Sequence, residues 1–222
     1  PRLMDLLAAE NSQTALEAFW AIALSGGFTD DVAIAGIHHK DPFVRMWAVR
    51  LLGDANAVSA LAGSELIELA YLEPHPEVRS QLAATAKRLQ GKVAIPIIKN
   101  LLKGHNDVDD PDIPLQIWWA LESKAVSNRT EILAMFEDDD IWSSRTVTET
   151  ILERLMQRWI MEGGEHNYAA CARLLTLSPS STQARPLIQG IEEGLRGRDV
   201  TELSPDLVSA LQSYQSLYGK ES

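Results

Sequence analysis

The sequence predicts an all-α fold, an α–α superhelix of antiparallel helix pairs, from three observations. In Asp41-Pro-Phe-Val-Arg-Met-Trp-Ala-Val-Arg-Leu-Leu-Gly-Asp54, the residues Val44, Trp47, Ala48, Leu51 and Leu52 recur at i, i+3, i+4, i+7 and i+8. That spacing is one apolar helix face. The pattern then returns with a period near 34 residues: His75-Pro76-Glu77-Val78-Arg79 follows Asp41-Pro42-Phe43-Val44-Arg45, and Asp110-Pro111-Asp112-Ile113 follows that. In the third copy Ile117, Ala120 and Leu121 take the places of Ala48, Leu51 and Leu52, and Leu82 belongs to the core face of the second. A helix recurring at this period, preceded each time by a shorter helix, describes stacked hairpins. No stretch shows the two-residue alternation of a strand.

Taken in order, Arg2 to Ala8 reads as the inner part of a helix already under way. Asn11 or Ser12 caps a helix through Thr14–Leu24, which Ser25-Gly-Gly-Phe28 breaks. Thr29-Asp-Asp31 starts a short helix to about His39. Asp41 caps the organising helix, Pro42 suits its first turn, and Gly53 closes it. A helix containing Ser64–Leu72 stops at Glu73-Pro74, and the second copy runs from Pro76 to about Leu89. Gly91 to Leu102 is helical, with Pro96 bending the helix or marking its first turn. A polar, acidic loop from His105 to Asp110 leads to the third copy, Pro111 to about Val126.

Beyond Ser127 the period blurs. Asn128–Phe136 is a short helix and Glu137-Asp-Asp-Asp140 a charged loop. Ile141–Met161 carries the longest helical pattern, with Val147, Ile151, Leu155 and Trp159 spaced by four and Gly163-Gly164 ending it. Helices Asn167–Leu177, Ser181–Leu195 and Pro205–Leu217 complete about twelve or thirteen, the last opened by Ser204 as cap and Pro205 at its first position. The expected organisation is a single solenoid over residues 1–222, regular to about 126 and less regular from 127 to 222. An opening inside a helix, on Pro rather than Met, suggests that it is part of a longer protein.

The chain holds 20 Lys+Arg against 31 Asp+Glu, a formal charge of −11. That balance argues against a nucleic-acid backbone or an anionic membrane surface as partner. No apolar run reaches the roughly 20 residues of a membrane span. Cys171, the single cysteine, sits on an apolar helix face as a buried, inert thiol and permits no internal disulfide.

The motif Asp41-Pro-x-Val-Arg-x-x-Ala-x-x-Leu-Leu-Gly resembles a HEAT repeat. In that family a repeated Asp and Arg form a polar ladder between neighbouring hairpins, and the resemblance implies such a ladder at Asp41, Arg45 and Arg79. His75 departs from it at the Asp position and Pro114 at the Arg position. Together with Glu77-Val-Arg-Ser-Gln-Leu-Ala-Ala-Thr-Ala-Lys-Arg-Leu89 and Asp109-Asp-Pro-Asp-Ile-Pro-Leu-Gln-Ile-Trp-Trp-Ala-Leu-Glu122, the motif looks like a narrower group. These are large exported, dehydrogenase-like or haem-binding proteins of planctomycete-type bacteria. Their order is a β-propeller similar to sugar (sorbosone) dehydrogenases, a HEAT-like helical region, and a c-type cytochrome. The resemblance implies that this chain is the helical region, in an extracytoplasmic protein. It carries over no catalytic residue, and the haem-attachment motif Cys-x-x-Cys-His does not occur in this sequence.

The residues themselves indicate no catalytic, cofactor or metal site. Asp107, Asp109, Asp110 and Asp112, with His105 beside them, could supply Ca²⁺ ligands across the loop 105–112. They lack the glycine and final Glu of an EF-hand, and capping of the next helix is their simpler use. His38 and His39 point about 100° apart on a helix and cannot share one ion. No His-Glu dipeptide and no Gly-x-Ser-x-Gly elbow occurs. Trp118-Trp119 reads as core and inter-repeat packing, with one ring available to a groove. The expected function is therefore a non-catalytic scaffold whose partners are proteins. A free-standing peptide- or protein-binding adaptor and an enzyme with a cryptic site are the alternatives.

Overall fold

In a computed structural model, which describes residues 2–9, 11–197 and 203–218, the chain is all-α. Thirteen α-helices are present among the described residues, and no strand. They fall into two compact units, residues 1–104 and 105–222. The third copy of the repeat thus belongs to the second unit, whereas the sequence suggested a change of regularity only after 126.

The first unit contains α1 (Arg2–Leu7), α2 (Ser12–Leu24), α3 (Asp30–Ile37), α4 (Pro42–Asp54), α5 (Ala60–Leu72), α6 (Pro76–Arg88) and α7 (Gly91–Gly104). The starts of α2, α4 and α5 are set by side chains that take up amides lacking a helical partner. Asn11 Oδ1 accepts from Thr14 N at 2.9 Å, Asp41 Oδ1 from Phe43 N at 2.9 Å and Val44 N at 3.3 Å, and Ser59 Oγ from Ala62 N at 3.1 Å. α1 packs on α2, and from there each helix packs on the one two further along, α2 on α4 on α6 and α3 on α5 on α7. Two layers result, with a core of residues such as Phe19, Ile37, Val44, Ala48, Leu66, Val78, Leu82 and Ile98 between them.

Two residues expected in that core lie at its flank. Trp47 and Leu51 are half-buried, while Val49, Leu52 and Gly53 are buried. α4 packs on α2, α3 and α6, and its buried face runs through Val44, Ala48, Val49, Leu52 and Gly53, with Trp47 and Leu51 at its margin. Gly53 does not close the helix, which runs on to Asp54. A Cβ there would meet Thr85 Oγ1 and Arg88 Nη2 at 2.8 Å, so Gly53 is what lets α6 approach.

The second unit contains α8 (Ile113–Glu122), α9 (Arg129–Met135), a 3₁₀ turn (Asp139–Ser143), a π turn (Val147–Ile151), α10 (Leu152–Glu162), α11 (Glu165–Leu177), α12 (Ser181–Leu195) and α13 (Pro205–Tyr218). Here α8 packs on the π turn and α10, α10 on α12, and α9 on α11 on α13. Ile113, Ile117, Leu121 and Trp118 are buried, as the repeat pattern requires. The expected long helix 141–161 begins later: 141–143 belong to the 3₁₀ turn, and residues 145–162 run as one helix that contains the π turn. A spacing of four overruns the 3.6-residue turn by about 40° per step. The π turn absorbs that excess through a bond from Leu152 N to Val147 O, and Val147, Ile151, Leu155 and Trp159 all stay buried. Gly163 (φ 71°) and Gly164 (φ 82°) then end α10, a left-handed conformation that glycine adopts without strain.

Candidate functional site

The longest-range polar contacts form a register. In the first unit Arg45, on α4, lays its guanidinium against Glu73, in the loop before α6. Nε donates to Oε2 at 2.7 Å and Nη2 to Oε1 at 2.6 Å. Nη1 donates to the carbonyls of His39 and Lys40, both at 2.9 Å. Arg79 repeats the second half one hairpin on, its Nη1 donating to the carbonyls of Glu73 at 3.1 Å and Pro74 at 2.7 Å. Each arginine thus holds the carbonyls five and six residues before it and fastens the loop that leads into its own helix. Glu73 is 1% exposed and also accepts from His75 N at 2.9 Å, so both its oxygens are occupied. Arg45 thus joins α4 to the loop before α6, and Arg79 fastens that same loop to α6.

Asp41 has a different job. It caps α4 rather than pairing with an arginine. Burial raises its pKa, but the Ser12 hydroxyl, the Phe43 and Val44 amides and the nearby His39 ring together outweigh this and hold it below the ordinary carboxylate value. His75, at the equivalent place before α6, makes no side-chain cap bond; its ring meets Phe43 edge-on at 5.8 Å, and its buried Nδ1 has no partner.

Further bonds fall at nearly constant separation. Arg88 pairs with Asp54, Thr85 Oγ1 donates to Val49 O at 3.1 Å, and Asn100 Nδ2 to Ile67 O at 2.8 Å. In the second unit Trp159 Nε1 donates to Ala125 O at 2.7 Å, Arg145 Nη1 to Asp109 at 3.4 Å, Arg173 Nη2 to Glu137 at 3.1 Å, and Arg129 Nη1 to Asn167 Oδ1 at 3.0 Å. These pairs are 33 to 38 residues apart. The period therefore persists through the second unit, although its sequence signature blurs beyond Ser127.

The histidines at the end of α3 face different partners. His38 Nε2 lies 2.8 Å from Glu65. His39 Nδ1 accepts from Asp41 N at 3.0 Å, so its Nε2 carries the hydrogen donated to Leu7 O at 3.1 Å. The acidic loop 105–112 is a capping device: Asp110 Oδ1 accepts from the amides of Asp112 and Ile113, each at 2.9 Å. Among the described residues no three His, Cys, Asp or Glu side chains gather as a metal would require. Burial pushes the Cys171 thiol up to about 12. Trp118 is buried and Trp119 is 48% exposed. No described helix is long and apolar enough to cross a membrane.

Charge is distributed unevenly. Residues 1–104 hold 11 acidic and 10 basic side chains, and residues 105–222 hold 20 and 10. Eight of those 20 acidic side chains lie in the loop 107–112 before α8 and in 137–140, around the start of the 3₁₀ turn. Asp109, Asp112, Glu137, Asp139 and Asp140 are exposed there.

No family model, curated protein or solved structure matches the chain. What its residues can do is therefore read from their own geometry. Glu73, the most buried carboxylate in the ladder, was missed as a partner because Glu73-Pro74 reads simply as a helix stop. Its one sequence signal is a carboxylate at the loop position where two successive arginines converge.

Proposed function

We propose that this chain is a non-catalytic, HEAT-like scaffold that binds protein. The observation that carries the reading is the paired use of Arg45 and Arg79, each fastening the loop before its own helix while Arg45 reaches the next hairpin through Glu73. A polar tie repeated from hairpin to hairpin serves to hold an array in fixed register. The function such rigidity supports is separation and presentation of other modules. The resemblance to planctomycete-type dehydrogenase-like proteins narrows the proposal to the helical spacer between a propeller and a c-type cytochrome. The excess of acidic side chains in the second unit favours a basic protein partner, recognised through contacts that salt weakens.

The experiment is calorimetric titration of this chain with the propeller and cytochrome modules of such proteins, at low and at high salt. The proposal predicts one-to-one binding to at least one module that weakens as salt rises. Binding to neither, or turnover of a sugar or alcohol by this chain alone, would contradict it. An adaptor in its own right would instead bind a basic peptide and neither module.

A further inference from the structure

We draw no further inference here: the strongest candidate, the open groove beside the first turns of α9, α11 and α13 lined by Arg129, Thr130, His166, Tyr168 and Asp206, carries nothing because no buried unpartnered group points into it and nothing in the structure shows what occupies it.

Discussion

Arg45 and Glu73 lie 28 residues apart in the chain and meet through two parallel hydrogen bonds of 2.7 and 2.6 Å, with Glu73 almost wholly removed from solvent. Fork-to-fork geometry of this kind is the strongest form of ion pair a protein makes. Its net worth is limited, because burying both charges costs nearly what their attraction returns. Its consequence is specificity: any slip of one hairpin past the next leaves a carboxylate buried without its guanidinium.

Two tryptophans separate core from flank. Trp159 is fully buried and donates to Ala125 O, whereas Trp47 is half-buried, edge-on to Trp20 at 5.2 Å and beneath Arg50. Trp159→Ala should cost about 3–5 kcal/mol, and Trp47→Ala clearly less. Urea melts of both variants decide this; equal costs would return Trp47 to the core.

His75 occupies a cap position without capping. His75→Asn supplies the missing acceptor for the first amides of α6 without placing a second charge beside Glu73. Stability should rise by about 0.5–1 kcal/mol. A fall would show that the ring contact with Phe43 matters more than the cap.

Gly190 and Gly194 let α12 press against α10. A Cβ on Gly190 would stand 2.2 Å from Glu153 O, which is backbone and cannot swing aside, while one on Gly194 would first meet the Ile160 side chain at 2.6 Å. Gly190→Ala should therefore cost about 1–3 kcal/mol and Gly194→Ala less, as read from thermal melts. The reverse order would mean that α12 shifts freely along α10.

Burial raises the Cys171 thiol from 9.0 to about 12. A raised pKa means that the folded state keeps its proton while the unfolded state loses it. The associated stability is intact below 9.0 and declines as pH rises from there toward about 12. Cys171→Ala should flatten that alkaline decline, and the native thiol should resist thiol reagents at neutral pH. Rapid native labelling would place the thiol near the surface.

The helices and the repeat of the first unit were legible because apolar spacing and caps are local signals, carried by Asp41, Pro42, Val44 and Ala48. Of the Arg45–Glu73 pair, only the arginine was legible. Glu73 acts 28 residues from Arg45, and one sequence does not encode that distance. The π turn at 147–151 was hidden because residues spaced by four fit an α-helix and a π turn equally well. Trp47 was assigned to the core because periodicity gives a face but not which neighbours press on it. The close approach at Gly190 depends on where α10 lies.

The most direct test of the ladder is a double-mutant cycle on Arg45 and Glu73, measured by denaturant unfolding with Lys92→Ala as an exposed control. Arg45→Ala alone should cost about 3–5 kcal/mol, because it strands a buried carboxylate, and Lys92→Ala under about 0.5. Adding Glu73→Ala to Arg45→Ala should recover part of that loss, with a coupling of about 1–3 kcal/mol. Additive costs for the two substitutions, or an Arg45→Ala variant as stable as the control, would contradict the ladder.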